Sequence, residues 1–349
     1  MAKMDLAPSD VVEFAAYENQ WLDFANGFQE ANIFHHPAWI QTLIDTYRFP
    51  AYLVLVRDSK GVITAGIPCM ATRWLGLDKK LVALPFTDYC EPLFCDSRDA
   101  EILLKNWVCY AQNVGVKKIE VRSGGASSNL FQKKTEYCRH VLNLHSDYEK
   151  IASQYLEKYR IKVSQKRGVK VVKGSELSLL EDFYRLHLKT RQRLGVPIQP
   201  QKFFINLWKN LIRENLGFIA SAYHEGKCVA SVLFLCWNGN LTYKFSASDY
   251  DSRKLMAMDA LVDNVIRWGC ENNYRTLDFG RTDLQNEGLK YFKHRWGSSE
   301  ILLPYAYYPL APSNSLENSK QMMLIHNVIQ KSPLWICQIL GETFYRYFG

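Results

Sequence analysis

Between Tyr274 and Gly297 the chain reads YRTLDFGRTDLQNEGLKYFKHRWG, the densest gathering of charge-bearing groups in its 349 residues. Thr276 to Phe279 is strand-like, so Asp278, Phe279, Gly280 and Arg281 fall at a strand's carboxyl end, ahead of a loop with Thr282 and Asp283. The spacing predicts a short helix near Asn286 to Lys293 that carries Lys290 and Lys293 at its end, followed by His294, Arg295, Trp296 and Gly297. Carboxylates and cations collected at such a strand end are the usual material of an anion or acyl-group site. In a purely structural reading, Asp278 pairs with Arg281 or Arg275 and fixes the loop. The triplet Asp278-Phe279-Gly280 also matches a protein-kinase element. No Gly-x-Gly-x-x-Gly loop and no His-Arg-Asp loop precede it, which excludes that chemistry.

A second cluster reads Thr190-Arg191-Gln192-Arg193-Leu194-Gly195-Val196-Pro197. It closes an amphipathic helix, LSLLEDFYRLHLKTRQRLG, with Gly195 and Pro197 as the stop signal. Arg185, Lys189 and Arg193 share one helical stripe, and Arg191 lies on another face. A solvated charged face would account for them. The tight Gly-x-Pro exit favours a more specific role, because it aims the last turn's guanidinium groups at a fixed place, where arginine can hold phosphate or carboxylate in a bidentate fashion.

The elements that must position these groups follow from periodicity. Past the basic helix come a helix over about Lys202 to Glu214 and strands Phe218 to Tyr223, Lys227 to Trp237 and Leu241 to Ala247. The last two strands are joined by Asn238-Gly239, both of which tolerate positive φ. A helix from about Arg253 to Glu271, the strand at Thr276, the short helix and a strand near Ile301 to Tyr305 complete an α+β order, not a doubly wound nucleotide fold. The first half alternates a helix (Ala38 to Tyr47), strands (Tyr52 to Val56, Val62 to Met70), a helix (Asp99 to Val114) and strands (Lys118 to Arg122, Arg139 to Leu144). Tyr148 to Arg167 has helical spacing and many bases. APSNSLENS after Pro309 reads as a linker, and Lys320 to Gly349 as an amphipathic tail broken at Pro333. The expected division is 1–147, 148–310 and a tail at 311–349.

Composition narrows the class. With 48% hydrophobic and 13% aromatic residues the chain is neither disordered nor of low complexity. No run is long enough to span a bilayer, and Asp5, Asp10 and Glu13 stand where a signal peptide would be apolar. The nine cysteines are odd in number and form no Cys-x-x-Cys, which suggests neither a disulfide framework nor a zinc ribbon. A reduced, cytoplasmic protein without metal is expected. The net charge of +8 has an address: residues 150–193 hold twelve Lys and Arg against four acids, and the remainder is neutral. That locates a phosphate-bearing partner at the entry to the second domain.

The series TRQRLGVP, QKFF, CVASVLFL, YKFSASD, IRWGCENNYRTLDFGRT and GLKYFKHRWG resembles the FemAB-related proteins, which carry a GNAT-like acyltransferase domain also called BioF2-like or CelD-like. IFHHPAWIQTLIDTY and LPFTDYCEPLF resemble the family's early segments. NVIQKSPLWICQILGETFYRYFG resembles the closing segment of the branch that accompanies exosortase and exopolysaccharide systems. The resemblance implies two tandem GNAT-like acyltransferase domains with the C-terminal tail packing on the first. It also implies transfer of an acyl or aminoacyl group to an amine of a cell-envelope or surface-polysaccharide precursor. The donor would be aminoacyl-tRNA or acyl-CoA with no tightly bound cofactor, and contact with the inner membrane surface would be peripheral.

Lys293 matches the lysine of the family's Phe-Lys element, which meets the donor. An amine attacking an acyl ester needs a proton acceptor, and cations or NH groups for the oxyanion and leaving group. Lys293 and Arg281 suit the second task. Asp278 or Asp283 would orient the amine or accept its proton, and Tyr243 would protonate the leaving oxygen. Asp88, in Thr87-Asp88-Tyr89, is the first domain's candidate for acceptor binding, and Arg191, Arg193 and Trp296 join the substrate-binding set. Acetyl-CoA enzymes of this superfamily cradle pyrophosphate in a glycine-containing turn, but here the junction reads DSRKLMAMDAL. Ser252 and Arg253 can still hold a phosphate at a helix start, though backbone approach is harder without glycine. The rival readings are an acyl-CoA-dependent N-acetyltransferase of an amino sugar or small amine, and a non-catalytic adaptor binding RNA or a membrane surface.

Overall fold

The computed structural model describes residues 10–73, 79–123, 129–310 and 320–348. They form two compact units. The first comprises Met1–Tyr137, Leu303–Ser313 and Tyr347–Gly349, and the second Cys138–Leu302 and Asn314–Arg346. The division falls inside a strand, earlier than the expected boundary after residue 147, and most of the tail belongs to the second unit. The linker expected over 311–319 lies outside the described residues.

In the first unit the chain runs β1 (Asp10–Glu13), α1 (Phe14–Asn26), α2 (Pro37–Tyr47), β2 (Ala51–Arg57), β3 (Ile63–Arg73), β4 (Lys79–Val82), β5 (Leu93–Phe94), α3 (Ser97–Asn113) and β6 (Lys118–Val121). α2 starts where the His36 ring accepts Ala38 N–H and Pro37 supplies a preset φ. α3 starts on an Asp96 cap to Arg98 N–H. Leu103, Leu104, Trp107 and Ala111 on α3 bury one face against Val54, Ile67, Leu81 and Ile119 of the strands.

After β4 the chain turns sharply, with Leu84 and Phe86 both in the left-handed region. Three bonds anchor Thr87 and Asp88 just beyond the turn: Trp39 Nε1 to Thr87 Oγ1 (2.8 Å), Arg122 Nη1 to Thr87 O (2.9 Å) and Tyr305 OH to Asp88 O (2.5 Å). Arg122 also pairs with Glu120 at 2.8 Å. Burial pushes the Glu120 carboxyl up, but Arg122 and Lys80 outweigh it and hold it at about 2. The folded value lies below the unfolded one, so the pair's stability is present above about pH 4.5. It is expected to disappear as pH falls from there toward 2. Acid unfolding curves should flatten across that window in Glu120→Gln.

The second unit takes β7 (Gln132–Asn143) from Cys138 onward, then α4 (Tyr148–Ala152), α5 (Lys158–Lys166), β8 (Lys170–Gly174), α6 (Leu177–Arg193), α7 (Gln201–Leu207), β9 (Gly217–His224), β10 (Lys227–Trp237), β11 (Asn240–Ser248), α8 (Ala257–Glu271), β12 (Thr276–Asp283), α9 (Glu287–His294), β13 (Ser299–Tyr308) as far as Leu302, α10 (Lys320–Lys331) and α11 (Leu334–Phe344). Its strands lie in the order β7-β12-β11-β10-β9-β8, antiparallel from β8 to β11 and parallel between β11 and β12. β10 is buried on both faces over most of its length, as a strand must be when helices cover both sides. On one side α8 sets Leu261, Val262, Val265 and Ile266 against the strands. On the other, α6 and α7 bring Phe183, His187, Phe203 and Phe204 around Phe245.

The tail docks elsewhere than expected. α10 and α11 pack on α6 of the second unit, with Ile329, Cys337 and Ile198 forming a small buried cluster beside Leu188. Gln192 Nε2 reaches Ser332 O at 2.6 Å, and Gln330 Nε2 reaches Arg193 O at 3.0 Å. Gly195 makes this docking possible: its φ is +63°, and a Cβ there would sit 2.3 Å from the His326 ring. Gly195→Ala is expected to cost about 1–2 kcal/mol in backbone strain alone and to loosen the tail, read as faster limited proteolysis after residue 319.

Candidate functional site

β11 and β12 pair only from Asn240–Thr276 to Thr242–Asp278. Beyond that point β11 continues to Ser248 and β12 to Asp283 without a shared ladder. A bulge opposite Leu233/Phe234 of β10 accompanies the parting, since a bulge adds local twist. Strands that part leave backbone groups in need of partners. Lys293 supplies one: its buried ammonium donates to Gly280 O (2.7 Å) and Arg281 O (3.3 Å). Gly280, with φ +71°, makes the turn that brings its carbonyl there.

Asp278 holds the same segment from the other direction. It is buried, accepts Gly280 N–H at Oδ1 (2.7 Å) and meets Arg139 Nη1 at Oδ2 (3.0 Å). A partner of it is thus Arg139 of β7, remote in sequence; Arg275 donates to Asn238 O. Arg139, Asp278, Gly280 and Lys293 form one continuous chain of contacts that fixes the strand end. Thr282 Oγ1, on the parted stretch, is buried without a hydrogen-bond partner, and Arg281 stands half-buried beside it.

Several sequence-named residues are placed otherwise. Tyr243 lies in the apolar core among Phe234, Phe279 and Phe292, its hydroxyl 3.5 Å from Met258 Sδ, and burial pushes its pKa up. It packs the strand and is not placed to protonate a leaving group. Trp296 is likewise a core residue, edge-on to Tyr155 at 5.0 Å. Arg191 spends Nε and Nη2 on Pro197 O (3.0 and 2.6 Å), locking the helix exit instead of waiting for an anion. Asp283 accepts Gln285 N–H at 2.8 Å and shapes the turn into α9. Asp88 belongs to the first unit, where its carbonyl is held by Tyr305.

The turn from β11 to α8 is braced internally. Asp249 takes Lys227 Nζ (2.6 Å) and Ser252 Oγ (3.2 Å), and these bonds, Lys227's first, hold its carboxyl below the usual range. Arg253 and Arg193 lie 4.4 and 4.9 Å from the exposed Tyr250 ring. Met256 takes the left-handed cap that a glycine would adopt without strain.

Sequence reasoning missed a second charged assembly. Arg295 Nη1 meets Glu157 (2.9 Å) and Nη2 meets Asp259 in the first turn of α8. Arg160 Nε also contacts Asp259 (3.1 Å), and Tyr291 OH donates to Glu157 (3.1 Å). A small cavity lined by Tyr155, Glu157, Asp259, Arg295 and Trp296 adjoins it, and Arg295 Nε and Trp296 Nε1 are buried without partners. The one local signal was Asp259, an acid at a helix start. Of the twelve basic residues of 150–193, Arg160, Arg167, Lys173, Arg185, Arg191 and Arg193 have partners within the unit. On α5, Lys158, Lys162 and Lys166 remain as an exposed stripe at i, i+4, i+8.

Residues 152–294 match the family model described as the acetyltransferase (GNAT) domain. Over 139 residues the chain is 23% identical to the UDP-N-acetylmuramoylpentapeptide-lysine N(6)-alanyltransferase of Weissella viridescens, an alignment covering 39% of this chain and 41% of that protein. The match therefore spans less than half of the curated relative's length. The crystal structure of FemX superposes with a TM-score of 0.67 at 12% identity, covering 88% of this chain and 97% of that one. A tandem GNAT protein from the clavulanic acid biosynthesis pathway gives 0.50 at 11% identity, covering 87% and 99%. The α+β, tandem GNAT-like fold expected from the sequence is the fold observed. Among the described residues no helix is long and apolar enough to cross a membrane.

Proposed function

We propose that the chain is a FemAB-related member of the GNAT superfamily and an acyltransferase moving an acyl or aminoacyl group onto an amine of a cell-envelope or surface-polysaccharide precursor. The observation that carries the reading is the parting of β11 from β12 past Asp278, with a buried ammonium beneath the freed carbonyls of Gly280 and Arg281. The gap admits a donor's acyl end. As the acceptor amine adds to the acyl carbon, the acyl oxygen gains negative charge; the C–O or C–S bond to the donor then breaks, and the proton lost by the nitrogen passes, directly or through water, to the departing oxygen or sulfur. Lys293 and Arg281 supply positive charge to that oxygen. The role of Asp278 is to hold the strand end where they are.

An aminoacyl-tRNA donor is supported by two features over acyl-CoA. The β11–α8 turn places the Asp249 carboxylate, already bonded to Lys227 and Ser252, where a pyrophosphate would need bare N–H groups. The Lys158, Lys162 and Lys166 stripe suits a polyphosphate backbone. An acceptor on a lipid-linked precursor would bring the protein to the cytoplasmic face of the membrane. The match to the acetyltransferase domain favours acyl-CoA as the second reading. Incubating the purified chain in parallel with radiolabelled aminoacyl-tRNA and acyl-CoA, with amine-bearing envelope precursors, tests both. Transfer from acyl-CoA alone would overturn the aminoacyl version, and transfer from neither would overturn the enzyme.

A further inference from the structure

Cys138 and His140 stand two residues apart on β7 and therefore project to the same face. Both are buried, and neither takes part in the chain of contacts around Lys293. His140 Nδ1 has no hydrogen-bond partner, and Nε2 has only Glu300 Oε2 at 3.6 Å, beyond hydrogen-bond length. A buried imidazole with one nitrogen unpartnered and the other short of a hydrogen bond to a carboxylate calls for a ligand. One ligand atom each from Cys138, His140 and Glu300 lies within 4.8 Å of the others.

We propose that Cys138, His140 and Glu300 form a binding site for a thiophilic divalent cation, Zn²⁺ by preference, with water as the fourth ligand. Tetrahedral zinc has bonds of about 2.0–2.3 Å to sulfur, nitrogen and oxygen, so the ligand atoms must draw in to about 3.3–3.7 Å of one another around the ion. On binding, the Cys138 thiol releases its proton to solvent, and the thiolate and carboxylate together balance the ion's charge. Lys290, now 3.5 Å from Glu300, has Glu287 at 3.3 Å to take over its pairing. Lys293, His294 and Asp283 also face the cluster, and Lys293 stays on its two carbonyls. Cys-x-His lacks the paired Cys-x-x-Cys of a zinc ribbon, and its third ligand is remote in sequence.

Equilibrium dialysis of the full chain against Zn²⁺, followed by Co²⁺ substitution, tests the site. One equivalent is expected to be retained, with thiolate-to-cobalt charge-transfer absorption in the near ultraviolet. Cys138→Ser and His140→Gln should each weaken binding at least about tenfold, and Cys95→Ser, at an exposed thiol, should leave it unchanged. Glu300→Gln, at a surface-reaching side chain, should weaken binding while leaving the metal-free melting curve in place, which guards against a folding defect in the two buried variants. No retained Zn²⁺, or retention by Cys138→Ser and Glu300→Gln as tight as that of the unaltered chain, would overturn the proposal. Because the readout is metal content, the result is independent of whether the transferase reading holds.

Discussion

Lys293→Met is expected to lower the transfer rate by about 10²–10³-fold, the loss typical of removing one preorganised group at a developing oxyanion, with little change in KM for either substrate. Methionine keeps most of the buried volume and removes the charge. It also leaves Gly280 O and Arg281 O without the donor that now lies 2.7 and 3.3 Å away. That should cost about 1–3 kcal/mol of stability, so turnover is to be measured well below the melting temperature and expressed per folded molecule. Lys293→Arg separates the two roles. It retains the charge, but its planar fork cannot occupy the same point between two carbonyls, so rate should recover in part while stability stays low. If Lys293→Met turned over at the wild-type rate once corrected for folding, the ammonium would be a strand fastener only, and the site would have to be sought elsewhere.

The strands of the second unit were legible because each one's chemistry is local. Asn238-Gly239 takes the positive φ values expected of it, 49° and 69°, and the apolar run from Val229 to Trp237 is the buried β10. The partner of Asp278 was not legible. Arg139 is 139 residues away on another strand, and nothing in the spacing around Asp278 distinguishes it from the nearer Arg275 and Arg281. The tail shows the same limit: amphipathicity says that a helix buries one face, not what it buries it against. The helix expected through Tyr148 to Arg167 is two helices, because the chain between them sets Glu157 against Arg295. The basic segment was located correctly, yet half its charge serves contacts within the unit. The stripe on α5, with the exposed Lys150, Lys170 and Lys189, keeps the meaning the charge count suggested.

The contact between Glu157 and Arg295 carries the second large effect. Arg295→Met should destabilise the second unit by about 3–5 kcal/mol, the cost of leaving a buried partner unpaired. The guanidinium is 7% exposed and Asp259 6%, so solvent cannot replace the lost pairing. Arg160 remains on Asp259 at 3.1 Å but is itself a quarter exposed. Burial already lifts the Asp259 carboxyl above its usual value, against the pull of Arg295 and Arg160; without Arg295 it rises further. A carboxyl whose folded pKa exceeds its unfolded pKa holds its proton longer in the folded state. Stability then falls as pH rises from about 4 through the raised value. The variant should therefore melt lower at neutral pH than in mild acid, a dependence the parent lacks or shows weakly. Asp259→Asn added to Arg295→Met should restore much of the loss and flatten the profile, because it removes the stranded charge. Equal, additive losses from the two substitutions would mean that the pair is not coupled, and that α5, α8 and the end of α9 are held together by packing alone.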